Sequence, residues 1–372
     1  MTTPPRAREM QHSAAARRGP MLRRMIGMIA LLGGFHMLSN AAVPQQPYEW
    51  RDLIPLPQSI AGQCVGTIGD LLVVAGGSSW TMPPWAGGTK HWSDEVLALA
   101  PGGQQWQLIG HLPHPMGYGS AVQVGKQMLC IGGQDAERTY NTALQLGLDG
   151  KKLTIRNLPN LPQPITNAQA ALAGDKVYVV GGQHTLNAKD VSSEIWSLNL
   201  SDRRPSQAWK SEPSPPWKHA RILPVVAGCG HELYVVSGAD LSVDSGGTSH
   251  RTYLSDAWRL KGGASWEKLP DLPSPVTGAP SICDESGSLV LFGGDNGSLA
   301  EQITSLKDQH PGFSLKTLRF DLHNATWSTG SQLPVSLVTT GATLWNGQYV
   351  IAGGENKPGH RSSRVIVLKT GG

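Results

Sequence analysis

The sequence predicts an all-β protein built as a six-bladed β-propeller, on three observations. An apolar run ending in Gly-Gly recurs six times, each copy holds the makings of four short strands, and the two chain ends carry complementary parts of one copy. The run reads VVAGG at 73–77, CIGG at 130–133, VVGG at 179–182, LFGG at 291–294 and IAGG at 351–354, with a degenerate VVSG at 235–238 in which Ser237 replaces the first Gly. From one second Gly to the next the steps are 56, 49, 56, 56 and 60 residues. A period near fifty residues is that of kelch repeats, in which each repeat is one four-stranded blade.

Within a copy the order is constant. An L-P or P-P element leads into a strand of small residues, which meets the apolar strand through a two-residue turn: Gly69-Asp70, Gly125-Lys126, Gly174-Asp175 and Asn346-Gly347. A variable loop follows the Gly-Gly pair, then a strand such as EVLALA, EIWSLNL, DAWRLK or LKTLRFDL. An aromatic-led strand closes the copy at Trp106, Trp209, Trp266 and Trp327, with Ile155 in the weaker second copy. The Gly-Gly pairs read as backbone devices, since Gly permits positive φ and close approach where a strand leaves a crowded blade. The repeated Trp rings read as filling between blades. The last copy stops after RVIVLK at 364–369, and the piece it lacks stands at 50–57 as WRDLIPLP. That segment is expected to add the outer strand of the sixth blade and close the ring.

Composition agrees. Gly contributes 45 of 372 residues and Pro 27, while Trp numbers 12 and Phe only 4. Turn formers and large flat rings suit short strands rather than helices. The Gly residues have no three-residue period, which excludes collagen, and 39% apolar residues argue against disorder. The formal net charge is +4, but residues 1–42 hold six Arg against Glu9, a net of +5, so the remainder carries 4 less 5, or −1. No basic stripe is left for a phosphate backbone, and nucleic acid is not expected as a partner.

Residues 1–42 read as a signal peptide, with 43–372 as a single propeller domain. Arg23 and Arg24 precede an apolar run from Met25 to Leu38 that is short for a bilayer span, and Ser39, Asn40, Ala41 and Ala42 make a small-residue cleavage site near 41 or 42. The long stretch before Met21 allows a start at Met21, and an uncleaved anchor is the alternative. Ordinary secretion is preferred, because the twin arginines lack the flanking pattern of the twin-arginine pathway. A periplasmic location follows, with no membrane contact in the mature form. Cys64, Cys130, Cys229 and Cys283 have no metal-like spacing. Four free thiols are the expectation, with a Cys229–Cys283 bridge the alternative because both lie near one turn of consecutive repeats.

Loops between the first two strands are minimal, whereas those after the Gly-Gly strands are long and dissimilar, which marks one functional face. The stretch 78–93 holds Trp80, Trp85 and Trp92, 239–252 holds Asp240, Asp244, His250 and Arg251, and 295–312 carries a possible short helix around Glu301–Asp308. Connections into the innermost strands open on this face, and there Arg221 stands out against Ser59, Gly117, Thr166, Val276 and Ser336. It is expected to point toward the central channel, or else to be a solvated turn residue. The sharpest signal is Gly354-Glu355-Asn356-Lys357-Pro358-Gly359-His360-Arg361, where opposite charges flank a Pro-Gly turn. The turn can bring Glu355 and Arg361 over the channel mouth, either as site residues or as an internal salt bridge.

This octapeptide resembles the active-site loop of the bacterial N-acetylneuraminate mutarotases, or sialic acid epimerases, which are exported six-bladed kelch propellers. The likeness runs over the mature chain in rotated order, as in the family's cyclically permuted branch, and includes Gly117-Tyr118-Gly119 and the insertion after Phe292-Gly-Gly. The resemblance implies that Glu355 and Arg361 hold the catalytic positions and that the substrate is a sugar acid. Lys357 and Arg221 are secondary candidates for anion binding and Trp80 or Trp85 for stacking on the sugar, none singled out by the resemblance.

No cofactor is implied. The His residues show no H-x-H or H-E-x-x-H spacing, so no metal site is expected, and the seven Tyr form no constellation suited to a copper radical oxidase. The rival from another class is a periplasmic kelch module that binds a glycan or protein without chemistry, which has no use for a Glu–Arg pair.

Overall fold

A computed structural model of the chain describes residues 49–202, 208–213 and 215–369. The expected signal peptide, its cleavage site and the alternative start at Met21 lie outside the described residues. Among those described, no helix is long and apolar enough to cross a membrane.

Six four-stranded antiparallel sheets form the blades. From innermost strand outward, the first is Cys64–Ile68, Leu71–Ala75, Glu95–Leu99 and Gln107–His111. The second to fifth blades repeat this order, and in the sixth Ala342–Trp345, Gln348–Ala352 and Val365–Lys369 are completed by Glu49–Asp52. Trp50 pairs with Leu368 and Arg51 with Val367, so the N-terminal strand closes the ring as the sequence predicts. Each innermost strand contacts those of both neighbouring blades, the first against the sixth included.

Strand alternation explains where the core sits. Successive side chains point to opposite faces of a sheet, so Leu72 and Val74 pack toward the sixth blade while Val73 and Ala75 pack toward the second. Repeated round the ring, this gives six apolar clusters, one per blade junction. The outer-strand Trp rings wedge the junctions open to a fixed width. The indole N–H of Trp106, Trp209 and Trp327 donates to the carbonyls of Ile54, Pro159 and Pro270, each in the Leu-Pro connector that precedes the blade. A buried indole usually finds such an acceptor, although Trp50 and Trp217 have none among the described residues.

The Gly-Gly positions are both left-handed: φ is 68° and 103° at Gly76 and Gly77, and 67° and 109° at Gly353 and Gly354. Ser237 keeps the same conformation, φ 56°, in the degenerate copy. Its Oγ donates to the Leu254 carbonyl at 2.7 Å and accepts from Val276 N at 2.9 Å, which compensates the strain locally.

One expectation is corrected here. Cys229 and Cys283 form a disulfide, with Cα atoms 5.6 Å apart, rather than two free thiols. The innermost strands of the fourth and fifth blades run side by side and bring the two residues level. Cys64 and Cys130 are free and buried. The thiol of Cys130 is pushed up by its hydrogen bond to Cys64 and by burial.

Candidate active site

The rim of the channel is a closed circle of backbone hydrogen bonds. One residue in each blade connector is left-handed: Gly62, Tyr118, Asn167, Leu223, Gly278 and Thr339, with φ between 46° and 73°. Gly62 N donates to Thr339 O, Tyr118 N to Gly62 O, Asn167 N to Tyr118 O, Leu223 N to Asn167 O, Gly278 N to Leu223 O and Thr339 N to Gly278 O, all at 2.7 to 3.0 Å. The residue before each of these bridges to the residue just after the Gly-Gly pair, as in Ala61 with Ser78 and Val338 with Glu355. The rim thus fixes the start of every loop on this face.

Three of those loops are hairpins: Ser78–Trp80 with Lys90–Trp92, Ala239–Val243 with Ser249–Tyr253, and Glu355–Lys357 with His360–Arg361. In the last, Glu355 and Arg361 are directly cross-strand partners. Arg361 Nη1 lies 2.7 Å from Glu355 Oε1, with the side chains 6% and 16% exposed, so the pair is largely withdrawn from water. The turn is built for this: Gly359, at φ 72°, donates its N–H to Glu355 Oε1 at 2.8 Å. A Cβ there would stand 2.8 Å from the Trp85 ring. Among the described residues Glu355 Oε2 takes no hydrogen bond and Arg361 Nε is buried without a partner, while Nη1 meets Glu355 as an ion pair only.

The other prong of the guanidinium reaches the second blade. Arg361 Nη2 donates to the Tyr118 hydroxyl at 2.7 Å, and Lys90 Nζ donates to the same oxygen at 3.0 Å. Lys90 lies over Trp92 and Tyr118, 4.2 and 4.5 Å from the ring centroids. Two cations therefore converge on a single phenol, one of them also paired with the Glu355 carboxylate, and this corner carries net positive charge suited to an anion. The sequence does not point to Tyr118 or Lys90 as members of this group. The signal it holds is a large residue between two Gly at the rim, where the first and fifth blades use Gly62 and Gly278.

The remaining candidates take other places. Lys357 Nζ donates to the Asp308 carbonyl at 2.6 Å, and His360 Nε2 meets the Asp308 carboxylate at 2.8 Å. Both tie the hairpin to the fifth-blade insertion, whose short helix spans Ile303–Leu306. Trp85 packs on the hairpin tip, its ring 5.6 Å from that of His360. Trp80 stands 5.7 Å from Lys90. On the far side, the Tyr253 hydroxyl donates to Asp295 at 2.8 Å, and burial together with the Asp295 charge pushes that phenol up to about 12.

Arg221 does not face the channel. It occupies the position filled in the other blades by Ile60, Met116, Ile165, Val276 and Leu337, all buried. Its side chain is 1% exposed and donates to both carboxylate oxygens of Asp256, at 3.0 and 2.9 Å, with its guanidinium 4.4 Å from the Trp217 ring centroid. Ile222, not Arg221, stands at the rim position, bridged to Ala239, so Arg221 is neither aimed at the channel nor a solvated turn residue.

No protein-family model matches the chain. Over 361 residues it is 24% identical to a Haemophilus influenzae protein named N-acetylneuraminate epimerase, a match covering 85% of this chain and 91% of that one. A Brucella melitensis protein of the same name is 33% identical over 128 residues, 29% of this chain and 32% of the other. The solved structure titled "Structure of YjhT" superposes with a TM-score of 0.61 at 16% identity, covering 85% of this chain and 96% of that one, and this likeness is one of fold. Six blades arranged as a propeller, a Glu–Arg hairpin at the rim and relatives matched over most of their length converge: over 85% of its length the chain is similar to proteins named N-acetylneuraminate epimerase.

Proposed function

We propose that the protein is a mutarotase that interconverts the α and β anomers of N-acetylneuraminate or a related sugar acid. The observation that carries this reading is the paired Glu355 and Arg361, held cross-strand at 2.7 Å on the rim and largely withdrawn from water. Anomers exchange through the open-chain ketone, which requires a proton taken from the anomeric hydroxyl and one delivered to the ring oxygen. Glu355 is the general base, through the Oε2 that no donor among the described residues occupies, and it returns the proton on reclosure. Arg361 takes the carboxylate on the anomeric carbon, which its planar fork matches. In the free protein Arg361 is paired with Glu355; an arriving carboxylate competes for the guanidinium and releases Glu355 to act as base.

The reading includes export through the N-terminal segment and a rotated blade order relative to typical family members. The Cys229–Cys283 disulfide supports export, since disulfides persist in oxidising compartments. Anomer-resolved proton NMR of freshly dissolved N-acetylneuraminate, with and without protein, tests the activity. Faster approach to anomeric equilibrium is expected, and an unchanged rate with retained sugar binding would leave a binding module instead.

A further inference from the structure

Tyr118 combines three features that packing alone does not require. Its backbone is left-handed, φ 56°, as at every rim position, so a bulky aromatic stands where the first and fifth blades have Gly62 and Gly278. Its ring is pinned edge-on to Trp92 with centroids 5.8 Å apart, and it lies so close over Gly62 that a Cβ there would meet it at 2.9 Å. Its hydroxyl oxygen accepts from both Arg361 and Lys90.

A phenol has two acceptor lone pairs and one proton. With both lone pairs engaged by cations, the proton is what remains to be given away. Among the described residues no carbonyl or carboxylate takes it, and the Ser78 hydroxyl, 3.4 Å away, lies on the donor side of its contact with this oxygen. Glu355 and Tyr118 stand on opposite prongs of the same guanidinium, Nη1 and Nη2. One is a base with a free oxygen, the other an acid with a free proton.

We infer that Tyr118 is the catalytic acid that protonates the sugar ring oxygen while Glu355 deprotonates the anomeric hydroxyl. The inference rests on the mutarotase reading and adds a second proton carrier to it. On opening, Glu355 takes the hydroxyl proton, and the O–H pair becomes the second bond of the ketone. The bond from the anomeric carbon to the ring oxygen breaks, and its electron pair takes the Tyr118 proton. The products are a ketone, a free hydroxyl, a neutral Glu355 and a Tyr118 phenolate between Arg361 and Lys90. After rotation presents the other ketone face, the hydroxyl attacks the carbonyl carbon and returns its proton to Tyr118. The carbonyl oxygen takes back the proton of Glu355. No oxidant, reductant or cofactor enters.

The test uses the full chain carrying Tyr118→Phe and, in parallel, a series of ring-fluorinated tyrosines of increasing acidity at position 118. Tyr118→Phe keeps the ring against Trp92 and is expected to lower kcat about 10²-fold with KM within a few-fold, the range of a lost general acid. Across the fluorinated series kcat should follow phenol acidity in a graded way. A folded Tyr118→Phe protein with wild-type kcat, or a fluorinated series with constant kcat, overturns the inference while leaving the mutarotase reading standing. A wild-type protein that does not accelerate anomerisation overturns both.

Discussion

Glu355 and Arg361 divide the proposed chemistry between a proton carrier and an anion holder, and single substitutions separate the two. Glu355→Gln keeps the shape and the Gly359 hydrogen bond but cannot accept a proton. The anomerisation rate should fall roughly 10²-fold or more, with a smaller effect on binding, as measured by NMR exchange and calorimetry. Wild-type turnover in the folded variant would remove Glu355 from the mechanism. Arg361→Lys retains charge but loses the two-pronged contact to Glu355 and Tyr118. On an exposed loop such a pair contributes about 0–1 kcal/mol and Lys substitutes well. At 6% exposure that scale does not apply, so the Lys variant should lose both activity and some thermal stability. Unaltered kinetics in it would return the hairpin to a structural role.

The blade connectors and Gly-Gly turns are where local strain meets compensating hydrogen bonds. Ser237→Gly relieves a left-handed conformation costing on the order of 1–3 kcal/mol. It also leaves the buried Leu254 carbonyl and Val276 N–H unpaired, each at roughly 1–3 kcal/mol. The lost hydrogen bonds outweigh the relief, and urea unfolding should show the variant less stable by about 1–3 kcal/mol. A gain in stability would mean the backbone dominates. In the same fourth blade, burial alone raises the Asp256 carboxyl, but the hydrogen bonds and charge of Arg221 outweigh it and hold the group low. A carboxyl depressed on folding contributes stability above its unfolded value and loses it as pH falls through the folded one. Acid unfolding below about pH 4 should therefore draw on this pair. Asp256→Ala, which strands a buried Arg, should cost about 3–5 kcal/mol. The double change Arg221→Met with Asp256→Asn should keep near-normal stability and turnover, since the other blades place apolar residues at this position. Loss of sugar binding in that folded double variant would restore Arg221 to the site.

Ring closure binds the whole molecule together. Residues 49–57 supply the outer strand of the sixth blade, the Trp50 contact to Phe292 at 5.4 Å and the Ile54 carbonyl that accepts from Trp106. Removing them exposes a strand edge and opens the junction between sixth and first blades. The junction holds Val350 and Val367 against Val65 and Val74, and the ends of the Glu355 hairpin bond to Ile60 of the same cluster through Gly354 N and Ser362. Deleting 49–57 should greatly lower the melting temperature and abolish activity, whereas the Cys229–Cys283 disulfide, set between the fourth and fifth blades, cannot compensate. A truncated protein with wild-type melting would show that the last blade stands without its fourth strand.

Blade number, strand order and the closing segment were legible because each rests on a repeated local pattern: period-two apolar strands, Gly at left-handed positions, Trp at fixed offsets. The Glu355–Arg361 pair was legible because both residues sit on one tight turn, and short sequence separation makes their meeting a local event. Tyr118 and Lys90 were not, since Tyr118 reaches Arg361 from the second blade, 243 residues away, and Lys90 reaches the Tyr118 hydroxyl from the first. The left-handed Tyr118, Asn167, Leu223 and Thr339 carry no glycine signature, because the closed circle of rim hydrogen bonds imposes their conformation from outside. Arg221 and the disulfide belong with them. Whether a charge faces a channel or a carboxylate, and whether two thiols meet, is set by how neighbouring blades pack, and that is decided only when the ring is closed.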